Sequence, residues 1–581
     1  MDKYFFQASA SDFRKIPGSP IAYWMSVAFR NAFSNGETLQ SVADPKKGLA
    51  TTDNSRFLRL WPEVSLSKVM FNCKTRAAAI ESKKKWFPLN KGGTFRKWYG
   101  NQDYLINWES DGKEIKAAVI ATYGGGSYTK EIRSEDRYFQ DGITWNALTS
   151  NISSFRKTNY GAIFDSAGSS MFPIKRSMGL LGMLNSRVTR EALYAINPTL
   201  NFGAGSVAGI PVILPKSNET DVNTIRLVEI ASTDWNYSEN SWYFSDSPLL
   251  QLNHRQPTLQ ASYQKLCDHW REMTQEMQRL EQENNRIFID AYGLQDELTP
   301  EVPLNEITLT CNPYYRYGGD KTEEELEALL LADTMREFIS YAVGCMFGRY
   351  ALDKPGLVLA NQGETIDDYH RLMPNSRFEA DADNVIPILD GEWFADDVTE
   401  RFRQFLRVTF SDEHYDANLA FIEQALNPKG KRNYTLRDYM LGEFYTDHVK
   451  RYKKRPIYWL FSSPKGTFNA LIYLHRYRPD TASVVLRYLR EFRAKLAARQ
   501  STLEQVLINP ATSQGEKTKA MKEIDTLKKQ IIELQDYEND TLYPLATAQV
   551  AIDLDDGVKV NYLKLGTVLK KITGLDAKEE D

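Results

Sequence analysis

The stretch PTLQASYQKLCDHWREMTQEMQRLEQENNRIFIDAY, residues 257–292, divides the chain. Leu259, Tyr263, Leu266, Trp270, Met273, Met277, Leu280 and Ile287 recur at three- and four-residue steps, with Glu, Gln and Arg between them. Such a row predicts one long amphipathic helix acting as a spacer or hinge. Pro300 and Pro303 mark its far boundary.

Working outward, the regions on either side differ. Residues 48–225 are rich in Gly, Ser, Thr and aromatics, with short strand-like runs at Lys116–Thr122, Gly161–Asp165 and Val212–Leu214, and a helical stretch at Leu180–Ala195. Ahead of them, 1–47 holds closely spaced apolar groups (Phe5, Phe6, Phe13, Ile16, Ile21, Tyr23, Trp24); it reads either as a connector wanting an upstream surface or as an N-terminal helix docked on the same domain. Beyond the 226–303 helical spacer lies a C-terminal α/β domain over 304–480, opened by a capping box at Thr322 and Glu325. Ala482–Leu507 and Lys517–Tyr537 predict a helical hairpin within 481–545, and the Asp556-Gly557 turn signal predicts a terminal β-hairpin and tail over 546–581. The fold class is therefore mixed α+β: an α/β domain, a long helical spacer, then a mainly helical C-terminal domain.

With 581 residues, 42% apolar and 12% aromatic, the chain can bury sizeable cores and is neither disordered, collagenous nor a disulfide framework. Lys+Arg 72 against Asp+Glu 76 leaves a net charge of −4, so a nucleic-acid contact requires a local patch. Cys73, Cys267, Cys311 and Cys345 stand too far apart for a metal or disulfide set. No stretch reaches the ~18 apolar residues of a membrane span, and the start MDKYFFQASASDFRK lacks an apolar signal core. The expectation is a cytoplasmic protein with no membrane partner.

The strongest chemical signal is KKKWFPLNKGGTFRKWY at 83–99, with six cations (Lys83, Lys84, Lys85, Lys91, Arg96, Lys97), five aromatics including Trp86 and Trp98, and no acid. Cations attract phosphates and exposed aromatics offer faces to bases; the alternative is a solvated loop whose two indoles face the core. Lys450, Arg451, Lys453, Lys454 and Arg455 form a second cluster, open to a phosphate role or to that of a helix end stopped by Pro456. Residues 364–400 hold eleven acids and two arginines, which reads as a solvated face or a surface for a basic partner. Gly203-Ala204-Gly205 with Gly209 mimics a nucleotide loop but is better read as a turn before a strand, and Asn312-Pro313-Tyr314-Tyr315 lacks the second proline of an adenine-gripping loop. No catalytic or metal-binding constellation is legible.

Several blocks carry a family resemblance: GSPIAYW (18–24), KGLATTDNSRFLRLW (47–61), KWFPLNKGGTFRKWYGN (85–101), DGITWNALTS (141–150), IFDSAGSSMFP (163–173), NPTLNFGAGSVAGIPV (197–212), and the stretches 312–350 and 448–481. They resemble the PglX family, adenine-specific DNA methyltransferases of BREX phage defence related to type IIG restriction-modification enzymes. The resemblance implies N6-adenine methylation, but the family's glycine-rich S-adenosylmethionine loop and Asn-Pro-Pro-Tyr motif have no match here. The expectation is thus a C-terminal target-recognition half that is inactive alone, binds no cofactor itself, and partners double-stranded DNA and a catalytic half using S-adenosylmethionine. On that reading 48–225 is the target-recognition domain. Lys83, Lys84, Lys85, Lys91, Arg96 and Lys97 would meet phosphate, and Arg156, Lys157 and Asn159 would reach into a groove. The competing reading is an assembly subunit docking other BREX proteins or a phage-made antagonist, with incidental DNA binding.

Overall fold

Short aromatic and β-branched runs between glycine turns become narrow sheets in the computed structural model, which describes residues 9–149, 152–199 and 201–576. Phe5, Phe6 and the tail at 578–581 lie outside those residues. One four-stranded sheet is antiparallel throughout, in the order Ala43–Lys46, Ser170–Pro173, Gly142–Trp145, Phe155–Thr158. The other runs Leu58–Leu60, Tyr104–Asn107, Trp86–Asn90, Ile163–Phe164, with only its last pair parallel. The helix Glu109–Thr122 covers this second sheet, burying Ile115 and Val119 against Leu58, Phe87 and Ile106. The strand expected at Lys116–Thr122 is the second half of that helix: Ile115 and Val119 share one face four residues apart, and the intervening alanines favour helix. Gly112 lets the chain turn in at φ +69°, where a Cβ would stand 2.8 Å from the Trp108 ring.

The helical stretch expected over 180–195 is two helices, Ser177–Leu184 and Arg187–Ile196, separated where Ser186 caps the second. The Gly203 loop opens a short helix, Ala204–Ala208, before the strand Pro211–Val212.

The long helix forms as expected, Leu259–Tyr292, capped by Thr258 and ended by Gly293 at φ +67°. It does not stand free between two bodies. Leu266, Met273, Met277, Leu280 and Phe288 belong to one continuous core with Leu181, Leu184, Leu227 and Ile230 before it and Phe338, Phe402 and Phe405 after it. The capping box at Thr322 and Glu325 opens the helix Glu323–Met346 as expected. A three-stranded antiparallel sheet, Ile386–Pro387, Asn469–Tyr473, Tyr458–Ser462, follows, and Thr481–Ile508 with Gln514–Tyr537 make the helical hairpin.

The terminal β-hairpin is corrected. Gly557 does turn the chain at φ +79°, but the next residues form the helix Gly557–Lys564, whose Val558, Asn561 and Tyr562 are buried at helical spacing. Among the described residues no helix is long and apolar enough to cross a membrane.

Candidate nucleic-acid interface

The two basic runs have distinct fates, set by acids far away in sequence. Trp86 is fully buried, and its Nε1 donates to the Asp555 carboxylate at 2.9 Å. Lys68 and Lys85 meet the same carboxylate at 2.7 and 3.1 Å, while Arg59 donates to the Asp555 carbonyl at 2.8 and 3.1 Å. Burial raises the Asp555 carboxyl, but the bonds from Lys68, Trp86 and Lys85 outweigh it and hold the group below its ordinary value. Lys84 donates to the Ser67 carbonyl, and Lys83 is exposed.

Arg96, Lys97, Trp98 and Arg156 are buried, so none of them faces solvent in this fold. Arg96 pairs with Asp234 at 3.1 Å. Lys97 pairs with Glu281, whose other oxygen accepts from Trp98 Nε1 at 2.7 Å. Arg156 donates to Asn146 Oδ1 at 2.7 Å and to the Arg96 carbonyl at 3.1 Å, and burial pushes its guanidinium down to about 10. These side chains bolt the sheets to the helices Glu219–Asn236 and Leu259–Tyr292. The core reading of both indoles is the one the structure shows.

The second run divides similarly. Arg451 turns inward to Glu239 at 3.5 Å and Arg455 to Glu63 at 3.0 Å. Lys450, Lys453 and Lys454 remain on the surface, Lys453 beside Asp103 at 2.8 Å.

Lys91 and Lys453, one from each run, flank the ring of Tyr104, 6.0 and 5.6 Å from its centroid. Lys91 also lies 3.6 Å from Asp165. A small cleft is lined by the apolar Phe71, Pro88, Ala162 and Trp242 together with Asn90, Gln102, Thr158, Asn159, Tyr160 and Tyr243, and Lys74 lies over the exposed Tyr160 ring at 6.0 Å. Asn159 was an expected groove residue; Lys157, half-buried, is fixed through its backbone N–H to the Trp98 carbonyl at 2.9 Å. Gln102, Tyr104, Tyr160, Tyr243 and Lys74 are additions from the structure. The available signal was the polar run Asn101-Gln102-Asp103-Tyr104 immediately after the basic stretch. Chemically, the ammonium groups suit phosphate, the amides suit base edges, and the rings suit stacking.

Elsewhere the site candidates dissolve. Asn312 is a helix cap, buried, accepting from Tyr314 N at 3.2 Å and donating to the Leu304 and Ile307 carbonyls. Many of the 364–400 acids are internally matched: Asp368 with Arg371, Asp383 with Arg487 at 2.6 Å, Glu392 and Glu400 with Arg403, and Asp397 with Arg437 at 3.0 Å. No group of His, Cys, Asp and Glu among the described residues is arranged to hold a metal ion.

No protein-family model matches the chain. Two curated proteins are similar to it along almost its whole length. The adenine-specific methyltransferase BrxX of Escherichia coli O9:H4 (strain HS) is 38% identical over 588 residues, taking in 97% of this chain and 46% of that protein. The adenine-specific methyltransferase PglX of Lacticaseibacillus casei (strain Zhang) is 36% identical over 588 residues, 98% of this chain and 46% of its own length. The chain spans about half the length of the curated relatives it matches. What the sequence and fold describe is therefore a polypeptide similar to a portion of the BrxX and PglX adenine-specific methyltransferases.

Proposed function

We propose that this chain recognises duplex DNA targets for an adenine-specific methyltransferase of BREX phage defence. The observation that carries the reading is the convergence of Lys91 and Lys453 on Tyr104; a small cleft, which none of these three residues lines, offers Asn159 and Gln102. Similarity to two adenine-specific methyltransferases supplies the reaction being served. In this reading Lys91, Lys453 and the exposed Lys83, Lys450 and Lys454 hold phosphates. Asn159 and Gln102 meet base edges, where a bidentate amide–adenine contact separates right from wrong base by about 1–3 kcal/mol. S-adenosylmethionine enters with the methyl-transfer centre, to which no residue of this chain is assigned.

Affinity measured against salt tests this. Replacing Lys91 and Lys453 by alanine together should make the log–log salt slope shallower by about 1–2. Asn159→Ala should weaken the specific site and leave that slope alone. An unchanged slope in the double-lysine variant overturns the placement of the interface. Arg96 and Lys97 are unsuitable for such a test because both are structural ions.

A further inference from the structure

Along the long helix, Tyr263, Cys267, Trp270, Thr274 and Gln278 recur at three- and four-residue steps and so share one face. That face lines an open cleft of about 550 Å³. The rest of the lining comes from the first turns of the helix Glu323–Met346, with Leu326, Leu330 and Leu331, and from Leu304, Cys311 and the start of the short helix Pro313–Tyr317. Four other hollows hold about 40 Å³ or less, room for no more than a few waters, whereas small-molecule sites run from about 300 to 1,000 Å³. The walls are set before anything enters. The Tyr263 ring rests on Phe421 at 6.1 Å, Gln278 donates to the Val302 carbonyl at 2.7 Å, and the Asn312 cap fixes Tyr314 by accepting from its backbone N–H at 3.2 Å.

The charges around the cleft are one-sided. Glu323, Glu324 and Glu327 line it, exposed on adjacent turns of their helix, and none has an ion-pair partner among the described residues. Arg271, the one cation in the lining, is matched by Asp268 at 3.0 Å. Acids in a first turn complement the helix dipole, which accounts for Glu323 and Glu324 but not for Glu327 one turn further on. Burial chiefly raises the Tyr263 hydroxyl and the Cys267 thiol, the thiol to about 11, and the Glu327 charge adds to both, so its field reaches the inner wall. Ring faces behind a negative rim select an organic cation: the quadrupole and the carboxylates both attract it, and an anion is repelled. We infer that this cleft binds a small organic cation with an aromatic body, stacked on Tyr263 and Tyr314 with its charge toward Glu324 and Glu327. The site is separate from the proposed DNA interface: it takes the opposite charge, and none of Lys91, Lys453 and Tyr104 lines it.

The probe is berberine, a planar aromatic cation whose fluorescence rises when it leaves water, titrated into the full 581-residue chain without DNA. One equivalent should bind, and the anionic dye anilinonaphthalene sulfonate should fail to displace it in about tenfold excess. Glu324→Gln/Glu327→Gln should weaken berberine binding about three- to tenfold, and Tyr314→Leu about threefold or more. Ala328→Trp, which adds an indole to the lining from an exposed position, should abolish binding. The glutamine pair alters only exposed side chains, and an unchanged circular dichroism spectrum and melting temperature confirm that each variant is folded. No binding by the parent overturns the site, as does equal binding by the parent, the glutamine pair and the Ala328→Trp variant. Displacement by the anionic dye marks an unselective apolar surface and overturns the assignment to a cation. A labelled octalysine peptide that binds where berberine does not gives the cleft to a basic protein segment and overturns the small-molecule reading.

Discussion

Glu281→Ala should destabilise the protein by about 3–5 kcal/mol, measured as a lower urea midpoint with the slope unchanged. Among the described residues Glu281 is the acid that Lys97 pairs with, and it also takes the indole N–H of Trp98. All three groups are buried. Truncation strands an ammonium and an indole N–H in the seam between the sheets and the long helix, and an uncompensated buried charge is far costlier than the pair is valuable. The double variant Lys97→Met/Glu281→Leu should therefore recover much of the loss. A single-variant change below about 1 kcal/mol would show that the seam relaxes and admits water to Lys97.

The second large effect concerns Asp555. Its removal takes the acceptor from Lys68, Lys85 and Trp86 at once. With Lys68 partly in solvent, the expected loss is about 2–3 kcal/mol rather than the full sum of three charge-assisted bonds. The pH dependence has a definite sign. Because the folded carboxyl sits below its ordinary value, the stabilisation is fully present at neutral pH and disappears as pH falls through the folded value, below about pH 4. Asp555→Asn should thus be weaker than the parent at pH 7 and converge on it under acid. Unfolding curves between pH 2 and 7 decide it; a constant difference across that range would exclude Asp555 as the titrating group. Limited proteolysis at pH 7 should also release the chain's end sooner in the variant.

What could be read in advance divides along physical lines. The long helix, the capped helix at Thr322 and the helical hairpin were legible because their signals are local: spacing of apolar residues, a Ser or Thr three residues before an acid, a short polar connector. Lys116–Thr122 and Ala551–Tyr562 went to helix because short apolar runs fit either period, and contacts with distant elements decide between them. The candidate site was legible only in part. The run at 83–99 contains no acid, so its charges looked available, yet their partners are Asp234, Glu281 and Asp555, remote in sequence. Likewise the acids of 364–400 looked unneutralised because Arg403, Arg437 and Arg487 lie beyond the run. Lys453 is exposed and Lys91 half-buried beside Asp165, and only folding brings them to one tyrosine.

The docking of Asp555 against the second sheet also bears on how the protein is made. Lys68 and Lys85 emerge from the ribosome 487 and 470 residues before the carboxylate that will neutralise them. At roughly 5–20 residues per second the strand Trp86–Asn90 waits on the order of half a minute or more for its partner. The nascent sheet must therefore survive that interval of translation with two lysines and an indole N–H hydrated, and these contacts are made only after Asp555 has been synthesised.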